Sequence, residues 1–154
     1  MKTKLFLLGQ LLILALTLSS QPIAFYPHGV GGGGALFFPT INPGNDNEYY
    51  VSCDMSQSFH TTNFGMTYSQ CDFSQLQVSN NSTFEFTNDG FTAYTIYNDG
   101  NNEFPVKSTD GGATWSTINA YNLGTYGSAY AVKANYNNPE SAHCRRLWRY
   151  PNFK

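Results

Sequence analysis

Charge is scarce in this chain: Asp, Glu, Lys and Arg make up 12% of the residues, and no arginine occurs before Arg145. A nucleic-acid surface needs clustered Lys and Arg to neutralise phosphates, so no such partner is expected. Between Gln21 and Glu140 the basic residues are Lys107 and Lys133, whereas Arg145, Arg146, Arg149 and Lys154 crowd the last positions. That tail reads as a basic binding segment or, more simply, as an exposed final strand or irregular chain end. Cysteine is equally sparse: Cys53, Cys71 and Cys144 allow at most one bridge and leave a thiol over, and their spacing does not say which pair forms. There is no Cys-x-x-Cys pair and no His-x-x-x-His pair. His28, His60 and His143 lie far apart, so no metal or cofactor is expected and the histidines read as structural or surface residues. Helical periodicity is missing too. Past residue 20, no stretch repeats its apolar residues at the period of an amphipathic helix.

The apolar run at residues 5–18 falls short of the roughly 20 residues a membrane-spanning helix needs. Lys2 and Lys4 precede it and Thr17-Leu18-Ser19-Ser20 follows, so residues 1–20 read as a secretory leader cut near Ser19 or Ser20. The expected product is secreted to the extracellular space, the periplasm or the cell surface, with no stable membrane span. Loss of Lys2 and Lys4 takes the formal net charge from −2 to −4, which further disfavours a polyanionic partner.

What the chain has in quantity is aromatic residues, 16% of the whole, set among Gly, Asn, Asp and Ser. Residues 21–34 form a glycine-rich lead-in ending in Gly31, Gly32, Gly33 and Gly34. Four glycines in a row do not make a regular element; they give a flexible lead-in or allow backbone to approach closely. From residue 35 the chain is written in short strands. Residues 35–41, 48–53 and 58–61 are rich in aromatic and β-branched residues and are separated by polar turn residues at 42–47 and 54–57. A second set at 83–87, 91–97, 103–108 and 113–118 is joined by Asn88-Asp89-Gly90, by Asn98-Asp99-Gly100 and by a third tight turn. Asn-Asp-Gly between alternating runs predicts hairpins, since these residues tolerate left-handed backbone.

That third turn, Ser108-Thr109-Asp110-Gly111-Gly112-Ala113-Thr114-Trp115, organises the reading. Residues 61–68 align on it without a gap, 47 residues earlier. Thr61, Asn63, Gly65 and Tyr68 stand where Ser108, Asp110, Gly112 and Trp115 stand, and Phe64 replaces Gly111. Ile41, Phe86 and Ala134 mark strand ends at spacings of 45 and 48 residues. A unit of about 40–50 residues holding four strands is the signature of a β-propeller blade.

The pattern Ser-x-Asp-x-Gly-x-Thr-Trp resembles the Asp-box of secreted β-propellers, a family group that includes sialidases, sortilin-like receptors and xyloglucanase-type glycoside hydrolases. The resemblance implies an all-β fold, a partial propeller of four-stranded antiparallel blades. One blade is expected at about 35–80, a second at about 81–122 and the start of a third at about 123–154. Propellers close with about four to eight blades, so the remaining blades of the same polypeptide are an expected partner. Ser108, Asp110, Gly112 and Trp115 are then structural, as are Thr61, Asn63, Gly65 and Tyr68 in the degenerate copy. A sialidase site is disfavoured, since it needs an arginine cluster that residues before Arg145 do not supply.

The run from Val30 through Phe38, with Ile41-Asn42-Pro43 and Tyr50-Val51-Ser52-Cys53-Asp54, further resembles the first blade of xyloglucanase-type hydrolases. It departs from that family in Ser52-Cys53 and in Ser56-Gln57. The resemblance implies a polysaccharide substrate of the β-glucan or xyloglucan kind and gives Asp54 the role of general base in an inverting, endo-acting hydrolysis, with the acid supplied elsewhere. Asp54 also reads as a cap on the turn after its strand, as Asp99 does. The alternative function is a non-catalytic secreted or surface propeller that binds. Residues 98–103 offer oxygen ligands for calcium, and turn chemistry accounts for them equally. Asn80-Asn81-Ser82-Thr83 holds two overlapping glycosylation sequons.

Overall fold

The computed structural model describes residues 24, 29–30 and 34–146, with residues 126 and 146 described by backbone alone. The expected leader at 1–20, Gly31–33 of the lead-in, His28, and Arg149 and Lys154 of the basic tail lie outside the described residues. The chain is all-β. β1 (Leu36–Asn42), β2 (Asn45–Cys53), β3 (Ser58–Thr61) and β4 (Ser69–Gln70) form one four-stranded sheet in sequence order. β5 (Glu85–Phe86), β6 (Ala93–Asn98), β7 (Glu103–Ser108) and β8 (Ser116–Thr117) form a second, also in sequence order. β9 (Ala129–Ala134) and β10 (Ala142–Arg146) make a two-stranded sheet. Every pairing is antiparallel.

The strands at 58–61 and 103–108 fall where the sequence places them, and Ala134 ends β9 as its marker predicts. Other limits shift for local reasons. Residues 42–47 were expected to loop, but Asn42 pairs with Asn45, because its side chain accepts the Gly44 N–H at 2.9 Å and closes the turn early. Residues 45–47 therefore belong to β2. The strand expected at 113–118 shrinks to β8, because Thr114 is still held inside the preceding turn. One helical turn, α1 (Leu123–Tyr126), stands where no helix was expected. Asn122 caps it by accepting the Thr125 N–H, and Gly127 ends it at φ 71°. A single capped turn is too short to leave a period in the sequence.

The sheets stack face to face in chain order. Successive side chains of a strand point to opposite faces, and β6 shows the consequence: Ala93 and Tyr97 pack with one cluster, Tyr94 and Ile96 with another. The first cluster lies between the two four-stranded sheets and joins Tyr50 of β2 to Phe84, Phe86, Val106 and Trp115. Leu76 and Val78, from the connection between β4 and β5, complete it. The second cluster lies between the second sheet and the β9–β10 hairpin and includes Ala129 and Val132. Burying each large side chain contributes about 1.5–3 kcal/mol, so the stacking of sheets carries most of the stability. Ile41 and Leu36 of the first sheet keep large exposed apolar surfaces, as does Phe38.

Candidate functional site

The two turns aligned by sequence share one hydrogen-bond set. In the second sheet, the Ser108 hydroxyl donates to Asp110 Oδ1 at 2.8 Å and accepts the Gly112 N–H at 2.8 Å. In the first, Thr61 Oγ1 contacts Asn63 Oδ1 at 3.0 Å and accepts the Gly65 N–H at 2.9 Å. Asp110 Oδ1 accepts the Thr114 N–H at 2.9 Å, as Asn63 Oδ1 accepts the Thr67 N–H at 2.9 Å. One bond reverses direction. Thr114 Oγ1 donates to Asp110 at 2.6 Å, whereas Asn63 Nδ2 donates to Thr67 Oγ1 at 2.8 Å. The backbone matches too: Gly111 and Gly112 lie at φ 71° and 88°, Phe64 and Gly65 at 56° and 79°. Trp115 Nε1 donates to the Gly112 carbonyl at 3.1 Å, which fixes the indole over the turn. Bonds from Thr114 and Ser108 hold the Asp110 carboxyl below its usual pKa.

Two tyrosines that sequence reading left among the general aromatics turn out to fasten the sheets. Tyr50 Oη donates to the Gly111 carbonyl of the next sheet at 3.2 Å, and its ring stacks on Phe84 at 4.1 Å and on His60 at 4.1 Å. Burial pushes the Tyr50 phenol well above its ordinary pKa. Tyr94, 44 residues later, donates to the carbonyl of Pro139, in the turn that joins β9 to β10. The cross-strand neighbour of Tyr50 is His60, and that of Tyr94 is Lys107. Lys107 Nζ lies 5.7 Å from the Tyr94 ring centre, so each tyrosine face meets a basic group. His60 is therefore structural: it also meets Glu48 at 2.9 Å, and the other oxygen of Glu48 accepts from Asn42 at 2.7 Å. His143 is exposed on β10. The 44-residue spacing of the two tyrosines is close to the 45–48-residue spacings of the repeat, and that was the signal available in the sequence.

Asp54 lies at the opposite end of its sheet from the turn at residues 61–68, on the exposed turn that joins β2 to β3. The Cys53 N–H closes this turn on the Gln57 carbonyl at 2.9 Å. Gly34, the last of the glycine run, approaches so closely that a Cβ there would meet Asp54 Oδ1 at 1.9 Å. Asp72, Asp89, Asp99 and Asp110 each accept backbone N–H groups of their own turns. Among the described residues, Asp54 accepts none; the one hydrogen bond to its side chain comes from the Cys53 thiol at 3.5 Å. The cap reading thus fails for Asp54 and holds for Asp99, which takes the Asn101 and Asn102 N–H groups at 2.8 and 2.7 Å. In the calcium candidate at 98–103, Asn98 Oδ1 accepts the Gly100 N–H at 2.7 Å, and Glu103 Oε1 accepts from Asn98 at 3.0 Å. Those oxygens serve the turn, and no group of three or more metal-binding side chains occurs among the described residues.

A cavity of about 390 Å³ opens between the second sheet and β10, lined by Tyr94, Lys107, Ile118, Tyr121, Glu140 and Cys144. Lys107 and Glu140 pair across it at 2.7 Å. Arg145 and Arg146 end β10, so the described part of the basic tail is a strand end. No helix among the described residues is long and apolar enough to cross a membrane. Among known proteins, no family model, curated sequence or solved structure matches the chain.

Proposed function

We propose that this chain is the opening part of a secreted Asp-box β-propeller that acts on polysaccharide, with Asp54 as the general base of an inverting, endo-acting β-glucan hydrolase of the xyloglucanase type. The observation that carries the reading is the contrast at Asp54. Its carboxylate stands exposed at the end of the sheet away from the structural turns and takes no part in holding its own turn. In the proposed propeller the stacked sheets are consecutive blades, the box turns brace one end, and loops at the other end present ligand-facing groups. Asp54 Oδ1 would take a proton from a water poised beneath an anomeric carbon, and a carboxylic acid from outside the described residues would protonate the leaving oxygen across a gap of about 6.5–9.5 Å. The exposed apolar residues of the first sheet, Leu36 and Ile41 among them, support further blades, which would cover them.

Turnover of xyloglucan and related β-glucans by the complete polypeptide, with Asp54→Asn alongside, tests the role. Loss of a general base is expected to lower kcat by about 10²–10⁴-fold with the fold intact. Unchanged turnover in the variant removes Asp54 from the mechanism. The second reading, a non-catalytic propeller that binds, draws on the same exposure of Asp54 without a facing carboxylate. Retained β-glucan binding with no turnover in the unmutated chain would favour it.

A further inference from the structure

The turn at residues 79–82 is built from serines and leaves its two asparagines idle. Ser82 N–H bonds to the Ser79 carbonyl at 3.0 Å, and Ser82 Oγ accepts the Ser79 N–H at 3.0 Å while donating to the Ile96 carbonyl at 3.0 Å. Ser52 Oγ donates to the Ser82 carbonyl at 2.6 Å and ties the turn to the first sheet. Asn80 and Asn81 are exposed, and among the described residues neither side chain makes a hydrogen bond. Six other asparagines at turns behave differently. Asn42, Asn63, Asn98, Asn122, Asn135 and Asn138 each accept a backbone N–H. The fold therefore accounts for those six and not for Asn80 or Asn81, which are also the asparagines of this sequence that begin Asn-x-Ser/Thr sequons.

We infer that Asn81 is an acceptor for N-linked oligosaccharide when the chain passes through a eukaryotic secretory route. Asn81 is preferred over Asn80 because its sequon ends in Thr83, and a threonine hydroxyl at that position serves the transferase better than a serine. The Asn81 side-chain nitrogen bonds to the anomeric carbon of a lipid-linked pyrophosphoryl oligosaccharide. The lipid pyrophosphate leaves with the bonding pair, and the amide loses one proton. The sugar then projects from the link between the first two sheets, where nothing in the hydrogen-bond framework must move to admit it. The inference goes beyond the hydrolase reading and needs only export of the chain.

The full chain, expressed with its own leader in cultured animal cells, is expected to carry one oligosaccharide, seen as a single upward gel shift removed by peptide N-glycosidase. Asn81→Gln should abolish the shift and Asn80→Gln should retain it, both with unfolding midpoints equal to the parent because neither side chain supports the fold. A parallel chain carrying a leader of established function separates failure of export from failure of modification. Exported chain without sugar in that arm overturns the inference. So does a shift that survives Asn81→Gln and disappears in Asn80→Gln.

Discussion

Tyr50 and Gly112 come from different sheets and share one space: a Cβ on Gly112 would lie 1.9 Å from Tyr50 Oη. The tyrosine has little freedom to withdraw, because its ring is stacked between His60 and Phe84 and its hydroxyl is bonded to the Gly111 carbonyl. The glycine that shapes the turn at residues 108–115 is thus also the opening through which the preceding sheet grips it.

Alanine at Gly112 should therefore cost far more than alanine at Gly111. Both lie at positive φ, which penalises a Cβ by about 1–2 kcal/mol. At Gly111 a Cβ meets nothing within 4 Å, so G111A should lose about that amount. Phe64, at the matching position of the first sheet with φ 56°, shows that a side chain is accepted there. G112A adds the collision with Tyr50, and overpacking costs typically a further 1–3 kcal/mol, for a total of about 2–5 kcal/mol. Urea unfolding midpoints measure the difference; equal losses would mean that Tyr50 does not occupy that space.

The bond reversed between the two aligned turns predicts which substitutions the turn accepts. Asn63 uses Nδ2 as donor to the same threonine that, in the second sheet, donates to Asp110. Asp110→Asn can adopt the arrangement of the first sheet and should lower the unfolding midpoint only slightly, whereas Asp110→Ala removes the acceptor of the Thr114 N–H and should lower it more. Ser108→Ala leaves the Gly112 N–H without its acceptor at a fully buried position and should cost about 1–3 kcal/mol. An Asn variant as damaging as the Ala variant would show that the charge, not the acceptor geometry, sustains the turn.

The parts of this architecture that were legible in the sequence are those written in local chemistry. Hairpin turns announce themselves through Asn, Asp and Gly because these residues bond to their own backbone, and the turns at 61–68 and 108–115 could be aligned because every contact inside them spans four residues or fewer. The fastening of sheets was not legible in this way. The bond from Tyr50 to Gly111 joins residues 61 apart, and nothing around Tyr50 distinguishes it from Tyr49, which points to the other face and meets Tyr68 and Phe64. Only the recurrence at Tyr94 carried that information. Likewise, whether Asp54 capped its turn depended on the Cys53 and Gln57 backbone groups closing the turn without it.

Acid should weaken the fold through the turn aspartates. Burial alone would raise Asp89, but the Thr92 hydroxyl and N–H, the Phe91 N–H and the Thr87 hydroxyl outweigh it and hold the carboxyl at about 2. Asp110, Asp99 and Asp72 are also held below the ordinary value, by Thr114, by the Asn101 and Asn102 N–H groups and by Ser74 respectively. Since the unfolded chain binds these protons at about 3.9, the stabilisation is complete above that pH and is lost as pH falls toward 2. The thermal midpoint is expected to be flat from about pH 7 to 5 and to decline between about 4 and 2. Asp89→Asn should remove part of that decline; an unchanged slope would place its source elsewhere.

The cysteines supply the last expectation, which the sequence alone left open. Ser52 of β2 pairs with Ser58 of β3, and the Cys71 N–H continues the ladder onto the Ser58 carbonyl at 2.9 Å. Cys71 thus shares a face with Ser58 and Ser52, toward the cluster around Tyr50 that it joins. Cys53 follows Ser52 directly and points to the opposite face, fully buried. A disulfide needs Cβ atoms about 3.5–4.5 Å apart with converging vectors, and two side chains on opposite faces of one sheet cannot meet that condition. Burial also pushes the Cys71 thiol above its ordinary pKa, which leaves little thiolate at neutral pH to react. Non-reducing peptide mapping after air oxidation of the folded chain should therefore find no Cys53–Cys71 linked peptide. Cys53 should alkylate only once denaturant is added, and Cys71 slowly before it. A Cys53–Cys71 bridge in the folded chain would require the β2–β3–β4 register to differ by one residue, since a single-residue slip is what moves a side chain across the sheet.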